Sequence, residues 1–120
     1  MIEMNLATAL KATHAAQEKA KSLGLAMTVS VVDESGRLVV TMRADGTGFM
    51  TPESSRAKAV AAAAFRTSTL KLAASHGTNP FSSGVPTITR GEALPTGGAV
   101  PIIVGGRVIG GIGCGGGTAE

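Results

Sequence analysis

The segment AVPIIVGGRVIGGIGCGGGTAE, residues 99–120, decides the fold. Two apolar stretches, 99–104 and 107–113, flank the pair Gly105–Gly106, and glycine is a preferred residue of two-residue hairpin turns. Pro101 within the first stretch indicates an edge strand or a bulge, because proline has no amide hydrogen to donate in the middle of a sheet. The segment therefore predicts a β-hairpin near the end of the chain.

The glycines of this hairpin also match a nucleotide-binding pattern, since Gly111, Gly113 and Gly116 satisfy G-x-G-x-x-G. That fingerprint requires a helix and a second strand after the glycines, and an acidic residue about 20 positions later. The sequence has only four residues after Gly116, so we reject the nucleotide interpretation. We predict instead that Gly110, Gly111 and Gly113 leave one strand face bare, so that a helix or another subunit can pack against the backbone.

Upstream of this hairpin, the alternating stretches AMTVSVVD and RLVVTMR enclose the turn DESG and predict another hairpin over residues 26–43. Apolar residues at helical spacing predict helices elsewhere. The expected elements are helix 3–23 ended by Gly24, the hairpin 26–43, helix 52–65 with Thr51 as its N-cap, a helix or turn over 67–75, a short strand at 87–89 within the loop 77–98, and the last hairpin. This order predicts a single α+β domain over residues 1–120, with an antiparallel sheet of about five strands flanked by helices.

Composition excludes several classes of protein. The 120 residues are 43% apolar and 16% charged, which is typical of a globular domain. The net charge of +3 comes from scattered basic residues, and only three aromatic residues are present, so nucleic-acid binding is disfavoured. The single cysteine, Cys114, excludes an internal disulfide and agrees with a reducing cytoplasm. Neither a signal peptide nor a membrane-spanning segment is expected.

Three segments, taken in order, resemble one known family: VSVVDESGRLVV (29–40), SRAKAVAAAAF (55–65) and GGAVPIIVGGRVIGGIGCGGGTAE (97–120). The chain resembles the GlcG/HbpS-like family, also called the haem-degrading or PduO C-terminal-domain family, over residues 5–120. Members usually continue with a C-terminal helix, which these 120 residues do not include. They also often have Val-Ser where this sequence has Cys114 and Gly115. The resemblance implies a profilin-like layout, oligomeric assembly and, for several members, haem binding or haem degradation.

If haem binds, its iron needs an axial ligand such as histidine, cysteine or methionine. His14 is the candidate that we favour, because it lies at the edge of the apolar face of the first helix. For His14 itself, a solvated side chain that pairs with Glu18 one turn later is the expected role, and iron ligation is the alternative if haem binds. His76 precedes Gly77 at the end of a predicted helix, where a capping role is favoured. Cys114 is expected to be a small packed residue.

A second candidate site involves Lys58, which lies among small side chains on an alanine-rich helix and could bind a carboxylate. The backbone amides of Gly97 and Gly98 could receive an anion. Three hypotheses therefore stay open: a haem- or tetrapyrrole-binding protein, an enzyme or accessory protein that acts on a small carboxylic acid, and an oligomeric structural module without catalysis. No metal-ligand cluster is evident, and a homo-oligomer is expected.

Overall fold

The computed structural model describes residues 3–74 and 80–116. Helices and strands follow one another in an α-β-β-α-α-α-β-β order. The elements are α1 (Leu6–Ser22), β1 (Thr28–Asp33), β2 (Leu38–Met42), α2 (Thr51–Phe65), α3 (Thr69–Ala74), α4 (Pro80–Ile88), β3 (Ala99–Val104) and β4 (Arg107–Gly115). This is the predicted α+β class.

Both predicted hairpins are present, and they join into one antiparallel sheet with the strand order β2-β1-β4-β3. Gly105 and Gly106 have φ angles of 58° and 78°, the left-handed conformation that a tight two-residue turn requires. Pro101 lies in the edge strand β3, and the register shifts between Ile102 and Ile103. The edge position and the irregularity expected around Pro101 are therefore confirmed.

The predicted strand at 87–89 is wrong, because Thr87 and Ile88 belong to helix α4. The described residues thus contain four strands and not about five. Pro80 is the first residue of α4, where the fixed φ of proline suits a helix. Val85 is almost completely buried and packs in a cluster with Ala61 of α2 and Ala93. This burial stabilises a helix in a segment whose prolines and glycines had indicated a loop.

Helix α2 lies directly on the backbone of β4, and the strand glycines permit this approach. A Cβ atom on Gly111 would collide with the carbonyl oxygen of Ala59, and one on Gly113 would collide with that of Ser55. Gly115 continues the same face, where a Cβ would lie 3.3 Å from the Cβ of Thr51. The prediction that Gly111 and Gly113 serve packing is confirmed for the α2 contact. Gly110 permits the close approach of the neighbouring strand β1, because its Cβ would collide with the carbonyl oxygen of Val32.

Helix α1 covers the other face of the sheet, over β1 and β2. It begins at Leu6 and not at residue 3, because the Asn5 side chain accepts a 2.8 Å hydrogen bond from the Thr8 amide and caps the helix there. Gly24, with a φ of 75°, follows its end as predicted. The Gln17 amide donates to the carbonyl oxygen of Met42 over 3.1 Å, which ties α1 to the edge strand β2.

Thr51 is the first residue of α2 and not its N-cap, so that prediction is wrong. Met50 precedes the helix, and no side chain caps it. The Thr51 hydroxyl instead donates to the carbonyl oxygen of Gly48 over 2.8 Å and lies 2.8 Å from the buried Thr28 hydroxyl. The hydroxyl is therefore used to join α2 to β1 and not to satisfy the first amides of the helix.

Candidate functional site

The residues predicted for carboxylate binding converge at the beginning of β3. The Lys58 side chain extends from α2 to this point, and its Nζ lies 3.0 Å from the position that a Cβ on Gly98 would occupy. Gly98 has a φ of 124°, a conformation that favours glycine, and a Cβ there would also lie 3.1 Å from the carbonyl oxygen of Cys114. The Cys114 amide donates a 2.8 Å hydrogen bond to the carbonyl oxygen of Gly98. Lys58, Gly98 and Cys114 thus come together although they are far apart in the sequence.

The Lys58 ammonium has no hydrogen bond or ion pair within the described ranges 3–74 and 80–116. Burial lowers the pKa of Lys58, and the Coulombic effect of the Cys114 thiolate acts in the opposite direction. The burial of the Cys114 thiol raises its pKa, which the nearby Lys58 charge partly offsets. A half-buried ammonium without a partner can bind a carboxylate, because the bound anion would replace the lost hydration.

Gly98 lies beside this ammonium, and Gly97 directly precedes it in the chain. Gly97 is buried and Gly98 is half-buried. Across the described ranges, neither amide donates a hydrogen bond. Two available amides next to a cation are the donor types that receive an anion in proteins. The arrangement is therefore a candidate anion site formed by Lys58, Gly97 and Gly98.

His14 lies elsewhere, on the exposed surface of α1 and on the opposite side of the sheet from Lys58. The expected ion pair with Glu18 is not formed, and within the described part of the chain the imidazole has no hydrogen bond. Leu6, Leu10 and His14 follow one another at intervals of four residues and form one ridge of the helix. The structure thus separates the two candidate sites. His76 lies outside the described residues.

Sequence reasoning did not identify the polar layer between α2 and β1. It consists of two hydrogen-bonded groups of hydroxyls: that of Thr28 with those of Thr47 and Thr51, and that of Ser30 with those of Thr41 and Ser55. The signal in the sequence was the alternation of hydroxyl residues with valine in TVSVV, which showed a face of β1 that is polar and yet buried. The layer fixes the position of α2 and therefore the origin of the Lys58 side chain.

We expect Cys114 to react slowly with iodoacetamide at pH 8, and still more slowly, by roughly three-fold, in the Lys58→Gln variant. Burial keeps the thiol protonated, and removal of the ammonium takes away the charge that stabilises the thiolate. The rate can be followed by mass spectrometry, because the chain has a single cysteine. Lys58→Arg is the matched control and should keep the parent rate. Faster alkylation of Lys58→Gln would contradict the electrostatic coupling.

Residues 3–74 and 80–116 contain neither a candidate metal cluster nor a candidate membrane span. No group of three or more histidine, cysteine, aspartate or glutamate side chains is placed to hold a metal ion there. No helix in those ranges is long and apolar enough to cross a bilayer.

Comparison with known proteins agrees with this fold. The chain is 29% identical over 117 residues to an uncharacterized 15.0 kDa protein from the dhaT-dhaS intergenic region of Citrobacter freundii, covering 98% of this chain and 82% of that protein. It superimposes on the Klebsiella pneumoniae protein ORFY with a TM-score of 0.89 and 26% identity, covering 99% of this chain and 83% of that one. A structure described as a PduOC–heme complex matches with a TM-score of 0.85 and 28% identity, covering 98% and 86% of the two chains.

The sequence also matches one protein family, and the match covers almost the whole chain. Its description is haem degrading protein HbpS-like, and the match spans residues 4–120. The matched range includes both hairpins, the glycine face of β4 and helix α2, which are the features that define the fold here. The chain therefore belongs to the HbpS-like family.

Proposed function

We propose that this protein binds haem or a related tetrapyrrole, with His14 as the axial ligand of the iron. The observation that carries the proposal is the match to the PduOC–heme complex, which extends over 98% of this chain. The description of the matching family as haem degrading supports the same class of ligand. Haem degradation would use the His14-bound haem as its substrate, so the loss of His14 would affect both activities.

The residues around His14 fit such a ligand. The imidazole is exposed and without a partner in the described ranges, and imidazole is a common protein ligand of haem iron. Leu6, which is 55% exposed, and Leu10 provide apolar surface on the same helical ridge for the porphyrin. Glu18, one turn after His14, could accept the N–H of the other ring nitrogen and make the ligand nitrogen more basic.

Bound haem would supply an iron centre able to bind small ligands and change its oxidation state. The residues of this chain would hold and orient it. The His14 ring would donate its lone pair to the iron from a rigid helix. Lys11 and Lys21 are exposed on α1 before and after His14, and either ammonium could pair with a haem propionate.

Haemin titration followed at the Soret band tests this proposal. We expect the parent protein to shift the band with saturation, and His14→Ala to weaken haemin binding by at least about ten-fold. His76→Ala is the matched control and should bind haemin as the parent does. If His76→Ala alone abolished the Soret shift, or if His14→Ala bound haemin unchanged, the assignment of His14 would be wrong.

A second candidate function is the binding of a small carboxylate by Lys58, Gly97 and Gly98. The half-buried ammonium, which has no hydrogen bond or ion pair within residues 3–74 and 80–116, favours it. The alkylation of Cys114 provides the test, with propionate as the probe. A carboxylate on Lys58 would neutralise the charge that stabilises the thiolate, so propionate should slow alkylation in the parent to the rate of Lys58→Gln. Propionate that left the parent rate unchanged would exclude the site.

We also propose that the protein is a homo-oligomer. Val100 and Ile103 on the edge strand β3 are 49% and 56% exposed, and an association between subunits would cover such apolar side chains. Light scattering at micromolar concentration should give a mass of at least twice the 11.9 kDa of one chain. A mass near that of one chain would contradict this proposal. It would also remove the third hypothesis, a purely structural assembly module.

A further inference from the structure

A groove with a volume of about 670 Å³ lies between the β1–β2 turn, helix α2 and the loop after α4. Its volume falls within the range of small-molecule sites. The residues that line it are Ser35, Gly36, Arg37, Leu38, Arg56, Val60 and Glu92. Neither His14 nor any residue of the Lys58 site contributes to it. The groove is therefore a separate feature from both proposed sites.

The two acidic side chains at the beginning of the β1–β2 turn, Asp33 and Glu34, have partners of their own. The Asp33 carboxylate accepts hydrogen bonds from the amides of Ser35 and Arg37, at 2.9 and 3.0 Å. Glu34 binds the Arg107 guanidinium at 2.6 Å. These carboxylates are held by the turn and by β4, and neither of them lines the groove.

The two guanidinium groups in the groove, those of Arg37 and Arg56, differ in whether an acidic side chain pairs with them within the described residues. Arg56 forms an ion pair with Glu92, which holds it against the loop after α4. The Arg37 guanidinium has no hydrogen bond or ion pair across residues 3–74 and 80–116. The charged residues that line the groove are therefore the free Arg37 guanidinium and the neutral Arg56–Glu92 pair. Their net charge of one positive unit suits a ligand with one anionic group.

Apolar surface lies beside the open guanidinium. Gly36 has a φ of 81°, and a Cβ at this position would lie 3.6 Å from a methyl group of Val60. Leu38, which follows Arg37 in the chain, is 48% exposed. Side chains of this kind can contact the hydrocarbon part of a ligand whose charged end is bound by Arg37.

We propose that this groove binds a small organic anion with one carboxylate and a short apolar chain or ring. Arg37 would bind the carboxylate through paired N–H donors, a geometry that guanidinium offers and ammonium does not. Val60 and Leu38 would contact the apolar part. Because Glu92 already occupies the Arg56 guanidinium, no second cation in the groove is open to another carboxylate, so the site favours monoanions over dianions. This inference is independent of haem binding.

The experiment is a titration of the ¹⁵N-labelled protein, observed by its backbone amide resonances, with benzoate as the probe. We expect saturable shifts at Gly36, Leu38 and Val60, and binding about ten-fold weaker in Arg37→Gln. Arg66→Gln is the matched control, since Arg66 is exposed at the end of α2 and outside the groove. It should bind benzoate as the parent does.

Two further probes separate the charge from the apolar part. Benzyl alcohol lacks the carboxylate and inorganic phosphate lacks the ring, so neither should produce saturable shifts at these amides. Benzoate affinity unchanged in Arg37→Gln would overturn the proposal. The proposal would fall equally if benzoate shifted Gly97 and Gly98 instead of the groove residues, or if phosphate matched benzoate there.

Discussion

Gly111→Val is expected to lower the free energy of unfolding by at least about 3 kcal/mol, the upper end of typical overpacking costs. The valine Cβ would occupy the space of the Ala59 carbonyl oxygen, and that oxygen belongs to the backbone of α2. No rotamer change can relieve this collision, because the whole helix must move away from β4. Thermal or urea denaturation of the purified variant measures the loss.

Gly84→Ala is the control for the effect of a side chain added to glycine. A Cβ on Gly84 would meet no atom within 4 Å, and Gly84 lies in α4, where alanine is the better helix former. This variant should be as stable as the parent or slightly more stable. If Gly111→Val kept the stability of the parent but lost binding of NAD or ATP, the packing role would be wrong. The rejected nucleotide interpretation would then regain support.

Ser30→Val is expected to be the second most disruptive substitution, with a loss of about 2–4 kcal/mol in the free energy of unfolding. Ser30 is completely buried, and its hydroxyl lies 2.8 Å from that of Thr41 and 2.7 Å from that of Ser55. Valine would remove both hydrogen bonds and place methyl groups against two hydroxyl oxygens. Chemical denaturation followed by circular dichroism gives the value.

Ser30→Ala separates the two causes of this loss. It removes the hydrogen bonds without adding volume, and we expect it to cost about 1–2 kcal/mol. Ser55→Ala and the double variant complete a cycle that measures the coupling between the two hydroxyl groups. Equal stability of Ser30→Val and the parent would show that the polar layer does not hold α2 on the sheet.

The sequence predicted the parts of the fold that depend on local signals. Both hairpins could be read from alternating side chains and from their turns, because a two-residue turn such as Gly105–Gly106 specifies its own backbone conformation. Helix α4 could not, because Pro86 and its polar neighbours have low helix propensity. Its stability comes from the burial of Val85 against residues that are distant in the sequence.

The same distinction applies to the candidate sites. Lys58, Gly97 and Gly98 could be proposed one by one, but about forty residues separate Lys58 from the glycines, and only the folded chain shows that they meet. The sequence does not identify Arg37 as a candidate binding residue, because it does not reveal which of the charged residues around Arg37 already have partners. Partner assignment among surface charges depends on tertiary distances that no local pattern encodes.

The glycine face of β4 also restricts the register in which β4 can pair with its neighbouring strands. Every second residue in this part of β4, at positions 111, 113 and 115, meets α2, and all three are glycine. Ile112 and Cys114 alternate with them and point to the other side of the sheet. A slip of β4 by one residue would turn the glycines away from α2 and turn the alternating side chains toward it. The Ile112 side chain would then collide with the helix backbone. Misaligned pairings of the central strands are thus incompatible with the docking of α2. Docking can therefore select the correct alignment even when the hairpin turns alone leave it undecided.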